Sequence, residues 1–330
     1  MFNNLEVYLK YITITTDQQL VFAETPVPEL SADECLIRVK AIGVNRADIL
    51  QRQGKYPAPK GESTILGLEV CGDIVACGSG VIDWKINDKV FGLVAGGGYA
   101  EYVVIKSSQL FCLPAIFTDQ QGAGFAETFL TAYQSLFSIA RLKAKQSVLI
   151  HAGASGVGCA AIALAKAKDC FVVVTAGSEE KCQACLTLGA DVAINYHQNS
   201  FEQWQKAHAP EGFNVIIDVV GGDYLQKNIN VAAVDGHLVI LSILQGRYCE
   251  KVDMGKMLAK RISITASTLR NRSNNYKAEL VADFKEDFGK LLGEGQLLPV
   301  IDTCYPWQNA DKAHQRMLEN SNIGKLVLTV

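Results

Sequence analysis

The chain has 330 residues, 49% of them hydrophobic and 20% charged, with a net charge of -3. This is globular usage at a length that favours two domains. The charge gives no basic field for nucleic acid or an anionic membrane, and no apolar run reaches the roughly 18 residues a membrane helix requires.

The opening Met1-Phe2-Asn3-Asn4-Leu5-Glu6 has neither the basic nor the apolar region of a signal peptide. A cytoplasmic protein without a membrane or nucleic-acid partner is expected. Up to about residue 125 the chain reads as β-rich. Cys35–Ile42 alternates in part, as a half-buried strand does. Asn45 to Pro57 is polar, aromatic and broken by Gly and Pro, and reads as a loop able to carry function. Gly67–Gly78 has glycines at bend-like intervals, as bulged barrel strands do. Asn87–Gly92 is a turn entering a strand, and Gly96-Gly97-Gly98 a flexible loop before Tyr99–Ile105.

Beyond residue 125 the pattern changes. Glu127–Leu136 reads as a helix leading to Ser147-Val148-Leu149-Ile150-His151-Ala152-Gly153-Ala154-Ser155-Gly156-Val157-Gly158, an apolar strand, a tight turn and the start of a helix. Strands at Phe171–Thr175, Val192–Ile194, Asn214–Val220, His237–Leu241 and Arg261–Thr265 alternate with helices, including one over Tyr224–Val234. Six such strands predict an α/β fold with a doubly wound parallel sheet. A polar link at Asn271–Asn275, helices near 278–292 and 308–319, and a strand near 325–329 close the chain.

The glycine spacing is G-x-x-G-x-G rather than the usual G-x-G-x-x-G. Its weight comes from the βαβ alternation around it. Small residues at the turn let a phosphate approach the backbone, and the helix start favours an anion. Ala154, Ser155, Gly156 and Val157 are therefore expected to hold a dinucleotide pyrophosphate. Twenty residues beyond Gly158 stands Ser178, where an acid usually binds the ribose 2′-hydroxyl. A hydroxyl followed by Lys181, with Tyr196 closing the pocket, suits a 2′-phosphate, so NADPH is expected over NADH. Two other readings compete: Ser178 as only an N-cap, and Glu179 or Glu180 turned inward to a ribose.

The ten cysteines are scattered and read as reduced core thiols. Cys182 and Cys185 form a C-x-x-C without a second pair at zinc spacing, and read as structural.

Seven segments in this order resemble the medium-chain dehydrogenase/reductase superfamily, specifically its zeta-crystallin-like quinone oxidoreductases. They are Asn45-Arg46-Ala47-Asp48, Gly67-x-Glu69-x-x-Gly72, Gly98–Tyr102, Leu130–Tyr133, Ala154–Gly158, Asp218–Gly222 and Gly324–Leu328. The resemblance implies a Rossmann domain (126–270) inserted in a GroES-like β-barrel catalytic domain (1–125 and 271–330), and a homodimer. It also implies Thr131 beside the nicotinamide, with Asn45, Gly177, Ser178, Lys181, Tyr196, Ser242, Ile243, Thr268 and Lys325 among the cofactor contacts.

Zinc-dependent relatives have Gly-His-Glu where this chain has Gly67-Leu68-Glu69, and four cysteines in a lobe where it has only Cys112. No metal is expected. Without a Lewis acid an alkoxide has no support, but an electrophilic acceptor can still take hydride from NADPH. A quinone is the expected acceptor. An α,β-unsaturated carbonyl is the alternative, and a low-turnover NADPH-binding protein is the reading from another class. Charge building on the acceptor oxygen needs a donor. Tyr56 and Asn45 are the candidates, with Ser155 near the nicotinamide and pyrophosphate. Tyr56 as an aromatic cover without a proton role competes with its donor reading.

Overall fold

The structure, a computed structural model, describes residues 8–330. It contains two compact units. One is split, combining the described residues up to Thr128 with Leu269–Val330; the other is central, Phe129–Thr268.

The split unit opens with the antiparallel pair β1 (Tyr8–Ile14) and β2 (Leu20–Pro26). Then come β3 (Glu34–Val44), helix α1 (Arg46–Arg52), β4 (Glu69–Cys77), β5 (Lys89–Leu93), β6 (Tyr102–Lys106), β7 (Leu110–Cys112) and α2 (Asp119–Ala123). Helix α3 (Ala126–Tyr133) continues into a π-helical stretch, Gln134–Ile139. In the central unit β8 (Ser147–His151), α4 (Gly156–Ala167), β9 (Phe171–Ala176), α5 (Glu179–Thr187), β10 (Val192–Asn195) and α6 (Phe201–His208) alternate. The alternation goes on through β11 (Phe213–Asp218), α7 (Tyr224–Val231), β12 (Ala232–Ile240), α8 (Met254–Lys260) and β13 (Ser263–Ala266). The chain then returns to the split unit with α9 (Asn274–Gly293), β14 (Ile301–Pro306), α10 (Ala310–Leu318) and β15 (Lys325–Thr329).

The central sheet has the order β10-β9-β8-β11-β12-β13, all parallel. The order reverses between β8 and β11, the switch point where such sheets bind ligands at their carboxyl edge. Val148, Leu149, Ile150, Val172, Val173 and Val174 are fully buried, as the near-continuous apolar runs of a two-sided parallel sheet must be. The fold class read from the sequence is the one observed.

In the split unit the sheet order is β14-β15-β3-β4-β5-β7, with β6 on β3. The register sets Leu326 opposite Val44. The last strand therefore carries Lys325 next to the residue that starts α1.

Three expectations need correction. Asn45 to Pro57 is not all loop, because Arg46–Arg52 is the helix α1. The Asp48 carboxylate in its first turn accepts the Asn45 N–H at 2.8 Å, and Ile49 anchors it in the core. The polar residues conceal a helix of only seven residues. Gly96-Gly97-Gly98 is buried and packed, not a flexible loop: the Gly97 N–H donates to the Ile65 carbonyl at 2.8 Å, and a Cβ on Gly96 would strike the Ser63 carbonyl. The helix from Tyr224 stops at Val231 because Ala232 turns extended and pairs with Phe213.

Candidate functional site

In the central unit the glycine turn follows the buried strand β8. Ala152 has a left-handed φ of 55°. A Cβ on Gly153 would lie 2.6 Å from Val174, and one on Gly158 would meet the carbonyls of Ala152 and Gly153. These two glycines thus serve the close packing of turn, strand and helix, in addition to any phosphate access. Ser155 caps α4: its Oγ accepts from the Gly158 N–H at 3.0 Å, and its carbonyl accepts from the Cys159 N–H at 2.8 Å. Gly156 and Val157 stand at the open end of a twelve-residue helix, where N–H groups lack intrahelical acceptors and the dipole is positive. That donor set fits a pyrophosphate. The cap takes one lone pair of the Ser155 oxygen and leaves the hydroxyl proton available to a ligand oxygen.

Beneath the turn lies a chain the sequence reading missed. His151 Nε2 is 2.7 Å from Asn228 Oδ1, while Asn228 Nδ2 donates to Asp218 Oδ2 at 3.0 Å. An amide oxygen only accepts, so His151 carries its proton on Nε2 and takes the Thr175 hydroxyl on Nδ1 at 2.9 Å. Burial lowers the His151 pKa, and the Asp218 carboxylate opposes that shift. The one sequence signal was a histidine ending an apolar strand.

At the carboxyl ends of β9 and β10, Gly177, Ser178, Lys181 and Tyr196 come together. The Ser178 Oγ accepts from the Lys181 N–H at 3.2 Å, so Ser178 is the N-cap of α5. A Cβ on Gly177 would lie 2.6 Å from the Tyr196 hydroxyl oxygen. Glu179 is turned to the side, accepting from Asn195 Nδ2 at 2.9 Å, and Glu180 is exposed. Thr131 is buried in α3. Ser242 and Ile243 follow β12, and Thr268 follows β13 by two residues. The expected contacts of this unit after β9, β10, β12 and β13 thus lie at one edge of the sheet.

In the split unit Asn45, Glu69 and Lys325 form one buried cluster. The Lys325 ammonium donates to Val44 O at 2.8 Å, Asn45 Oδ1 at 2.7 Å and Glu69 Oε1 at 2.6 Å. Asn45 Nδ2 donates to Glu69 Oε1 at 3.0 Å and to Gly43 O at 3.3 Å, and Glu69 Oε2 accepts from the Glu127 N–H at 2.9 Å. This corrects two expectations. Lys325 spends all three protons inside the protein and has none for a cofactor, and the Asn45 amide has no free hydrogen for an acceptor oxygen. The signal for the pair was present in the sequence: a glutamate kept where its histidine neighbour is replaced by Leu68.

Next to this cluster, Asp48 accepts from the N–H groups of Asn45 and Gly67 and, at 3.4 Å, from the Tyr99 hydroxyl, which also lies 3.0 Å from His314 Nε2. Burial raises the Asp48 carboxyl to about 6 and lowers His314 to about 3. Tyr56 is half-buried. Burial raises its phenol pKa, Arg270 opposes this, and the guanidinium carbon lies 5.5 Å from its ring centre. Arg270 is a second residue the sequence reading passed over.

Among the described residues no three His, Cys, Asp or Glu side chains converge as a metal site. All ten cysteines are free, but Cys112 and Cys304 are exposed rather than in the core. Cys182 and Cys185 are buried in α5, and burial pushes the Cys185 thiol up to about 12. A cavity of about 730 Å³ in the split unit is lined by Arg52, Tyr305, Asp311, His314 and Arg316 and holds none of the residues expected from sequence.

Two family models match the chain: one described as alcohol dehydrogenase GroES-like domain over residues 31–115, and one described as zinc-binding dehydrogenase over residues 156–286. The chain is 31% identical to the quinone oxidoreductase of Lama guanicoe, over 92% of this chain and 90% of that one. It is 30% identical to the synaptic vesicle membrane protein VAT-1 homolog of Danio rerio, over 92% of this chain but only 65% of that one. Two crystal structures are similar over nearly the full length. Escherichia coli quinone oxidoreductase complexed with NADPH has a TM-score of 0.84 at 26% identity, covering 98% of this chain and 100% of that one. An NAD-dependent alcohol dehydrogenase has a TM-score of 0.85 at 27% identity, covering 98% and 99%.

Proposed function

The chain belongs to the medium-chain dehydrogenase/reductase superfamily, and on that premise we propose that it is an NADPH-dependent, zinc-independent reductase of quinones. The split unit is taken as its catalytic part and the central unit as its nucleotide-binding part. The observation that carries the reading is the Lys325–Glu69–Asn45 cluster. A buried ammonium neutralises the glutamate of the Gly67-Leu68-Glu69 motif, and Leu68 offers no ligand. The match described as zinc-binding dehydrogenase covers residues 156–286 and does not include this motif.

Bound NADPH would supply the hydride. The helix α4 N-terminus would hold the pyrophosphate, and Ser178, Lys181 and Tyr196 the 2′-phosphate. One oxygen of Glu179 is taken by Asn195, which supports the phosphate reading over a ribose held by that carboxylate. The relatives named quinone oxidoreductase support the choice of acceptor, and the NADPH complex of one structural neighbour supports the cofactor.

The test is an acceptor panel. Oxidation of NADPH is followed with quinones and with acyclic enones at matched concentrations. Faster turnover of quinones is expected. Faster turnover of enones would move the protein to the alternative class, and binding of NADPH with no turnover of either would reject the enzyme reading.

A further inference from the structure

Arg270 stands near the start of the C-terminal segment of the split unit and is 7% exposed. Its Nε donates to the Ala95 carbonyl at 2.7 Å, and its guanidinium carbon sits 5.5 Å from the Tyr56 ring centre. Both terminal nitrogens, Nη1 and Nη2, are buried and have no hydrogen-bond partner among the described residues. Arginine does not shed its proton in proteins, so these nitrogens keep four N–H donors without acceptors. Leaving charged donors dry and unpaired is costly, and such groups mark a place that a water, an ion or a ligand completes.

The surroundings specify the ligand's charge. Lys277, also buried, adds a second cation near Arg270; burial lowers its ammonium pKa, the Glu62 carboxylate opposes that shift and the guanidinium adds to it. Two acids act on Arg270 only at longer range. Glu62 is exposed, and the oxygens of Asp48 are taken up by Asn45, Gly67 and Tyr99. The forked end is therefore electropositive, with no anion hydrogen-bonded to it. Two parallel N–H groups match a negatively charged oxygen or carboxylate. Tyr56 lies over the fork from the stretch between α1 and β4, which contains no helix or strand.

We propose that Arg270 is the catalytic donor for the acceptor oxygen, that Lys277 raises the positive potential there, and that Tyr56 is an aromatic cover over the guanidinium. The proposal rests on the reductase reading above. When the acceptor is reduced, hydride forms a new bond to it and the π pair of a carbonyl moves to oxygen. That oxygen pairs with the guanidinium and then takes a proton from water, while the nucleotide is left oxidised. The phenol of Tyr56 need not donate anything.

The test begins with binding in the absence of cofactor. Benzoate, a planar anion, and benzamide, its neutral counterpart, are titrated by calorimetry into the wild type and into Arg270→Gln and Arg270→Lys. Unfolding midpoints confirm that each variant is folded. Benzoate should bind at least about tenfold more weakly to Arg270→Gln than to the wild type, with Arg270→Lys between them and benzamide unchanged. Equal benzoate affinity in all three overturns the proposal.

In turnover, Arg270→Gln should lower kcat with a quinone about 10²-fold, as loss of an oxyanion donor does. An Arg270→Gln enzyme with unchanged kcat also overturns it. Loss of benzoate binding in a protein that reduces no quinone would keep the anion site and reject the reductase reading. A fully active Arg270→Gln variant would do the reverse.

Discussion

An acid at position 178 would bind both ribose hydroxyls and repel a 2′-phosphate. Ser178 puts no charge of its own at that corner, and Lys181 follows Glu179 and Glu180 in the first turn of α5. Lys181→Glu should weaken NADPH binding by about 1.5–3 kcal/mol, the range of a charged hydrogen bond, and leave NADH almost unchanged. Calorimetric titration of both coenzymes checks this, and equal loss for both would contradict it. A second residue-scale effect concerns His314. It is 1% exposed, its Nδ1 has no partner among the described residues, and burial lowers it from 6.5 to about 3. Below pH 6.5 the unfolded chain binds a proton there that the folded chain refuses, so stability falls as pH drops from 6.5 towards 3. Asp48, raised from 3.8 to about 6, has the opposite sign: the folded chain holds the extra proton, and that stability is lost as pH rises through 6. Replacing His314 by Leu isolates its share. Over about 1.5 pH units below 6.5, the wild type should lose about 2 kcal/mol more than His314→Leu, read from urea midpoints at each pH. Parallel losses would contradict the assignment.

At the scale of elements, strand β15 gives the split unit its polar centre. Pairing Leu326 with Val44 brings Lys325 to the Glu69 carboxylate, and both side chains are almost wholly buried. Such a pair is costly to break and cheaper to replace. Lys325→Met alone should destabilise by about 3–5 kcal/mol, because it leaves a buried carboxylate, and Glu69→Gln with Lys325→Met should recover most of that. Denaturant unfolding of the two proteins tests it, and equal loss in both would show that the charge pair is not the cause. This cluster also marks where sequence reading stops. The parallel strands were legible because each is a short apolar run between turn residues, and the same logic found α4 behind its glycines. Helix α1 was not legible: Asn45–Pro57 has the composition of a loop, and what orders its start is an Asp48–Asn45 bond invisible to periodicity. The Lys325 contact spans 256 residues of sequence, so no local pattern could reveal that its protons are spent on Glu69.

The whole chain carries few extremes. Its net charge is -3, and no described helix is long and apolar enough to cross a membrane. Its character lies in the order of its elements: a doubly wound sheet placed between two stretches that share one antiparallel-rich sheet. Motifs spread over the chain made that order readable. Arg270 escaped notice because an arginine between Leu269 and Asn271 looks solvated until its burial is known. The central claim is hydride transfer from NADPH to a quinone without a metal. The most direct test is the initial rate of quinone reduction by protein dialysed against a chelator, measured with NADPH and with NADH. The account predicts an undiminished rate and at least about a tenfold preference for NADPH, the factor that about 1.4 kcal/mol of binding supplies. A rate lost on chelation and restored by zinc, or a preference for NADH, would contradict it.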